Sequence, residues 1–451
     1  MPPYTTYLGG VILDRGDHGS LAVKYSRIYR GKIEVHPKVP VRGLKDFAVW
    51  YTPGVAKVCE EIVRDREASF SLTNRWNTIA VITNGTRVLG LGGIGPEAAL
   101  PVMEGKALIF KYLGGVDAIP IVVRAETPER FIEIAEALEP SFGGLNLEDI
   151  ESPHCFYILE RLMSELSIPV WHDDQLGTAA ATLAALINAL KLTGRSPRRC
   201  RVVLLGAGAA NIATYRLLEK YGFDPGEMVL LDKKGILHAE REDLDSLMLR
   251  NRWKYEAAIR TNRGKLKGGL REALKDADIL IAASTPGPGV VRPEDIRLMA
   301  RDPIVFALAN PVPEIWPWEA KAAGAAVVAT GRSDLPNQVN NSLVFPSVFR
   351  GALDCNARQI SYEAMIRAAD ELALCAEERG LSEDYIIPTM EEWQVYPRVA
   401  AAVAEKLSQQ GLARRKLSYQ EEVAEASEII GRSRRILEAL VESGIIEAPI
   451  P

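Results

Sequence analysis

Between Arg201 and about Ala329 the chain repeats one unit: a short, wholly apolar run, a turn, and a helical stretch. The runs are RVVLLG, EMVLLD, DILIAAS, PIVFALAN and AAVVAT. A strand apolar on every residue is buried on both faces, which an antiparallel sheet with one wet face does not require. Alternation with helices therefore implies a parallel sheet with helices on both sides. The first run feeds Gly206-Ala207-Gly208-Ala209-Ala210-Asn211, and the helical pattern NIATYRLLEKYG leaves it. A glycine-rich turn between strand and helix lets backbone approach a pyrophosphate, with the free N–H groups of the helix start aimed at it. On this reading Gly206, Gly208, Ala209 and Ala210 bind a dinucleotide. The next strand ends on Asp232, where an acid meets a ribose hydroxyl. Asp232 favours NAD, whereas Lys233 and Lys234 directly after it can offset a 2′-phosphate, so use of both NAD and NADP is expected. The competing reading is a tight turn with no ligand. Asn211 departs from the pattern, because close helix–strand packing there calls for Gly or Ala. A second glycine run, Gly90 to Gly95, is either an anion loop or a structural turn before a helix starting at Pro96.

From Gly31 to about Leu192 short strand-like runs again alternate with helical ones. TIAVITNG, VDAIPIVV and IPVWHDD read as strands. TPERFIEIAEALEPSF reads as a helix capped by Thr127 with Pro128 in its first turn. GTAAATLAALINALKLTG reads as a helix closed by Gly194. The first thirty residues give a weak signal, and the chain after Phe349 is mostly helical. The expected class is α/β with two domains. Residues 1–174 form an α/β substrate and metal domain, and 175–344 form a Rossmann-like, doubly wound parallel-sheet NAD(P) domain. Residues 345–451 are helices that pack back on the first domain or cover a subunit interface.

A net charge of -5 over 451 residues leaves no electrostatic footprint for nucleic acid. The sequence offers no apolar run of membrane-spanning length, since GTAAATLAALINAL is interrupted by Thr and Asn. The N-terminus lacks the charged start and apolar core of a signal peptide, so the expected location is cytoplasmic. The five cysteines are scattered, far from any CxxC spacing, and read as reduced core thiols.

Two acidic pairs stand after apolar runs: Glu148-Asp149 after PSFGGLNL and Asp173-Asp174 after IPVWH. Acids at strand ends put oxygen ligands on the rim of a sheet, an incomplete shell suited to Mg²⁺ or Mn²⁺. Taken singly, such pairs are equally at home at a helix start or in a wet loop. His172 has no partner histidine at ligand spacing and reads as a core or supporting residue. Lys106 lies in the apolar segment PVMEGKALIFKYLGG. Burial beside a cation would depress its pKa and make it a general base, unless it simply extends to solvent from a helix. Tyr51, in WYTPGVA, either donates a proton or packs. Arg87 either grips a substrate carboxylate or is a solvated surface arginine.

YTPGVA from Tyr51, TRVLGLGGIG from Thr86, LPVMEGKALIF from Leu100, FGGLNLEDI from Phe142 and WHDDQLGTA from Trp171 occur in order. GAGAAN from Gly206, LANPVPE from Leu308 and TGRSDLPNQVNNSLVFP from Thr330 follow them, and DYIIPTMEEWQVYPRVAAAVAEK from Asp384 extends the match. In these motifs the chain resembles the malic enzymes of the short bacterial and archaeal type, over nearly its whole length. The resemblance implies oxidative decarboxylation of L-malate to pyruvate with reduction of NAD or NADP and a divalent cation. By it, Lys106 is the general base with Asp173 beside it, and Tyr51 is the acid. Glu148, Asp149 and Asp174 are the metal ligands. Arg87, Asn310 and Asn340 contact the substrate, with Asn341 a further candidate, and Asn310 and Lys233 also bind the cofactor. It further implies a homodimer or larger homo-oligomer. The chain ends too early for the regulatory or acyltransferase-like domain that some relatives carry. Two rivals stay open: a malolactic-type lyase that releases lactate, and a non-catalytic nucleotide-binding protein.

Overall fold

The computed structural model describes residues 18–88 and 90–447. Two sheets organise them. The first holds β1 (Thr78–Thr83), β2 (Asp117–Val122), β3 (Gly144–Leu147) and β4 (Val170–His172), all parallel in the order β2-β1-β3-β4. The second holds β5 (Val202–Leu205), β6 (Met228–Asp232), β7 (Gly235–Ile236), β8 (Ile279–Ala282), β9 (Ile304–Ala307) and β10 (Val327–Thr330). Its order is β10-β9-β8-β5-β6-β7, parallel except for the β6–β7 hairpin. The order reverses at β5, the point from which an open α/β sheet offers a crevice for ligands.

The apolar runs form strands as expected, and the caps work as the residues suggest. Thr127 accepts a hydrogen bond from the Arg130 N–H at the start of Pro128–Leu138, and Gly194 closes Thr178–Thr193 in the left-handed region at φ 62°. Two strands escaped the sequence reading. β3 contains a glycine and an asparagine, and β7 has two residues. The run Asp173–Thr193 corrects another expectation. It is 21 residues long with hydropathy 1.4, enough by length and composition to cross a membrane. It is instead wrapped in protein: Ala179 to Leu190 are all buried, and Asn188 donates to the carbonyls of Ala373 and Ile386. An amide that stitches two backbone carbonyls belongs to a protein interior.

The helices after residue 344 lie against the first sheet's layer. Phe345 and Phe349 of Phe345–Asp354 pack on Phe110, and Ser433 of Tyr419–Glu442 donates to the Lys111 carbonyl. Of the free cysteines, Cys155, Cys200, Cys355 and Cys375 are core thiols, but Cys59 is exposed. At the other extreme the helices His18–Tyr29, Leu44–Trp50 and Val55–Arg64 bury none of their residues.

Candidate active site

Four carboxylates and a lysine converge where the first sheet ends. β3 runs into Glu148 and Asp149, and β4 into Asp173 and Asp174, so parallel pairing of Leu147 with His172 brings both acidic pairs to one rim. Glu148, Asp149 and Asp174 each offer an oxygen within 4.8 Å of the others. Asp174 accepts from the Asp149 N–H at 3.0 Å, and Asn146 donates to Glu148 at 3.1 Å. Lys106, on the helix Pro96–Gly114, reaches into this cluster. Its Nζ hydrogen-bonds Asp173 Oδ2 and lies 3.1 Å from Glu148 Oε1, over the Phe345 ring. Trp171 Nε1 donates to the other Asp173 oxygen at 3.1 Å, which fixes that carboxylate.

Electrostatics here turn on what surrounds Lys106. Burial works to lower the Lys106 ammonium, but Asp173, Glu148 and Asp174 outweigh it and hold the group well above the usual lysine range. The depressed pKa expected from the sequence presupposes a cation beside the lysine. With the carboxylates alone around it, Lys106 is a cation. Burial pushes Asp173 up against the pull of Lys106, and pushes Glu148 up further, because Asp174, Asp173 and Asp149 add to it. His172 is fully buried at 3.9 Å from Asp174, and burial pushes its pKa down to about 4, so it is a neutral core imidazole.

Asp173 to Gly177 form a wide turn with i→i+5 character leading into Thr178–Thr193. Gly177 went unnoticed in the sequence. A Cβ there would sit 2.0 Å from Asp173 Oδ1, so only glycine leaves room for the carboxylate that holds Lys106. The glycine inside WHDDQLGTA was the available signal.

Beside the acids lies a cleft of about 240 Å³ lined by both sheets' loops. Arg87, Asp149 and Asp174 face Ala209, Ala210, Ser284 and Asn310 across it. Gly206 has φ +100°, and a Cβ on it would meet the Ala283 carbonyl at 2.5 Å, which explains its residue type. Gly208 precedes the helix Ala209–Tyr221. Asn211 has its own reason to stand where a smaller residue was expected: its side chain donates to the carbonyls of Leu205 and Ile281, tying the helix start to the ends of β5 and β8. Another residue that sequence reasoning missed is Glu314. Buried, it accepts from the Ser284 and Ala309 N–H groups and so holds two cleft loops together.

The remaining residues sort less simply. Asn340 caps a short turn by accepting from the Ser342 N–H, and Asn341 lies against Gly177. Asp232 ends β6, with Lys233 exposed beside it. Tyr51 is not among the cleft-lining residues and bonds none of the acids among the described residues. It is 70% exposed on the Leu44–Arg64 segment, and its hydroxyl bonds no described residue.

Fold and cleft together define a Rossmann-type, dinucleotide-dependent oxidoreductase with a carboxylate-rich cleft. Two family models match the chain, "Malic enzyme, N-terminal domain" over residues 30–163 and "Malic enzyme, NAD binding domain" over 176–409. The chain belongs to the malic enzyme family. It is 48% identical over 404 residues to the bifunctional malic/malolactic enzyme of Bacillus subtilis, covering 90% of this chain and 96% of that one. It is 48% identical over 385 residues to the NAD-dependent malic enzyme of Geobacillus stearothermophilus, with coverages of 85% and 78%. Against the NADP-dependent malic enzyme of Halomonas elongata it is 43% identical over 400 residues, with coverages of 85% and 92%. The crystal structure of Entamoeba histolytica malic enzyme superposes with a TM-score of 0.93 at 44% identity, covering 96% of this chain and 90% of that one.

Proposed function

We propose that this chain oxidatively decarboxylates L-malate to pyruvate and CO₂ while reducing NAD or NADP, with a divalent cation bound at its acidic rim. The observation that carries this is the placement of Lys106 between Asp173 and Glu148, directly behind the oxygens of Glu148, Asp149 and Asp174. Those three donors are hard oxygens with no thiolate or imidazole among them, which fits Mg²⁺ or Mn²⁺. The bound cation supplies positive charge that polarises substrate oxygens and offsets the carboxylates around Lys106, and the nicotinamide supplies a hydride acceptor.

The chain's own residues then do the following. Lys106 and Asp173 act as a pair: where a bound cation would offset the surrounding carboxylates, Asp173 is within hydrogen-bond reach to take the lysine's proton. Once that proton has passed to Asp173, Lys106 takes the proton of the malate C2 hydroxyl. Trp171 keeps Asp173 aimed during the exchange. Arg87, on the cleft wall, pairs with a substrate carboxylate, and Asn310, Asn340 and Asn341 orient the substrate beside the nicotinamide. Gly206, Gly208, Ala209 and Ala210 bind the pyrophosphate with their backbone. Tyr51 returns a proton to C3 after CO₂ departs.

We also infer a cytoplasmic homodimer. Val35, Leu44, Phe47, Trp50 and Val63 are exposed on the segment that carries Tyr51, an apolar face of the kind that subunit contacts cover. Tyr51 is exposed and bonds none of its own chain's acids among the described residues, so we assign its role as acid to the assembled dimer. The division at 174/175 and 344/345 into substrate domain, nucleotide domain and C-terminal helices accompanies this reading.

A malolactic activity is the second reading, favoured by the name of the Bacillus subtilis relative. The test is to incubate the enzyme with L-malate, Mn²⁺ and either cofactor. Reduced cofactor equal to pyruvate is expected. Lactate without net cofactor reduction would shift the assignment to the lyase, and no product would refute both.

A further inference from the structure

An acid at the end of the second Rossmann strand ordinarily selects against 2′-phosphorylated cofactors, since its free carboxylate meets the ribose hydroxyls and repels a phosphate. Asp232 is not free in that sense. Its Oδ1 accepts from the Lys234 N–H at 2.9 Å and from Arg241 Nη1 at 3.0 Å, and Lys254 Nζ lies 3.4 Å from Oδ2. Arg241 cannot swing away. Its side chain is 6% exposed and makes a two-pronged pair with Asp243 at 2.8 and 2.9 Å. Lys234 Nζ also pairs with Asp243, at 2.9 Å. Two carboxylates, Asp232 and Asp243, thus face three cations: Lys234, Arg241 and Lys254. Lys233 is exposed and, among the described residues, has neither a hydrogen bond nor an ion pair.

We propose that Arg241 and Lys254 set the cofactor preference of this site: by neutralising Asp232 they admit a 2′-phosphorylated dinucleotide, with Lys233 the free ammonium that meets its phosphate. Such a phosphate carries nearly two negative charges at neutral pH and would be turned away by an unpaired aspartate at the same place. The ribose hydroxyls of NAD lose little, because a carboxylate has lone pairs beyond those already used. The proposal rests on the reading that the 206–210 loop holds the dinucleotide with Asp232 at its ribose.

The experiment is titration calorimetry of the full-length protein with 2′,5′-ADP, 5′-AMP and NAD, for wild type, Lys254→Gln and Arg241→Gln. Wild type should bind 2′,5′-ADP at least as tightly as 5′-AMP. Lys254→Gln should weaken 2′,5′-ADP about tenfold, the scale of one charge-assisted contact, with 5′-AMP changed less than about twofold. The NADP-to-NAD ratio of kcat/KM should fall in step. If Arg241→Gln does not fold, Lys254→Gln alone decides, since Lys254 holds Asp232 by a single contact. Equal weakening of both fragments would mean that the network only braces the loop, and would overturn the proposal. NAD binding with wild type favouring 5′-AMP over 2′,5′-ADP would also overturn it while leaving the nucleotide site intact. No binding of any of the three would remove the nucleotide reading and the proposal together.

Discussion

Glu422 offers a prediction that can be worked through from charge alone. It lies on the helix Tyr419–Glu442, fully buried, against Asp354. Asp354 is already gripped by the buried guanidinium of Arg350, whose Nε donates to Asp354 Oδ2 at 2.7 Å. Two buried carboxylates against one guanidinium would leave a net charge in the core, which is costlier than holding a proton. Burial first, and Asp354 next, push the Glu422 carboxyl up to about 10, with Arg350 opposing and Glu425 adding to the rise. Folding therefore takes up a proton that the unfolded chain releases above about 4.5. Stability falls as pH climbs from that value toward about 10, by at most ~1.4 kcal/mol per pH unit. Glu422→Gln keeps the shape but has no proton to lose. Over three pH units, from about 5.5 to about 8.5, the ceiling on the difference is ~4 kcal/mol, or roughly 8 °C in Tm at about 2 °C per kcal/mol. Scanning fluorimetry across that range should give nearly equal Tm values at the acid end. The variant should gain several degrees over wild type at the alkaline end. Parallel Tm curves would refute the reasoning, because they would mean Glu422 carries no folding-linked proton.

Lys106→Ala should abolish malate turnover while leaving NAD affinity within about twofold, since Lys106 faces the acids and not the glycine loop; calorimetry alongside the rate assay checks this. Gly177→Ala places a methyl group against the Asp173 carboxylate. It should lower kcat about a hundredfold, the scale of a displaced catalytic group, with the fold retained by circular dichroism. Mixing Lys106→Ala and Tyr51→Phe subunits, each inactive alone, should restore activity after subunit exchange if Tyr51 serves the partner's cleft. A mixture that remains inactive although heterodimers form would count against the dimer assignment.

Much of the fold was legible because burial on both faces leaves strand interiors apolar, so β1, β5, β6, β8, β9 and β10 announced themselves. β3 did not: GLNL is short, and its Asn146 is spent on orienting Glu148. The acidic rim could be read as two pairs at strand ends, but not the registry of β3 with β4 that merges them into one cluster. The charge balance around Lys106 was not legible for a related reason. Its sign depends on how many carboxylates surround one nitrogen, and residues 67 positions apart supply the nearest. Asn211 looked like a flaw in a motif and proved to be a brace between two strands. Arg241 and Lys254 carry no motif at all, and only the β6–β7 hairpin and the helix Arg252–Arg260 bring them to Asp232.

The most direct test of the proposed chemistry is a time course with L-malate and Mn²⁺, following reduced cofactor by absorbance and pyruvate and lactate by separate assay, with and without EDTA. Reduced cofactor and pyruvate should rise together in equal amounts and stop when EDTA is added. Product formed at the same rate in EDTA-treated, metal-stripped enzyme, or lactate with no net reduction, would contradict it.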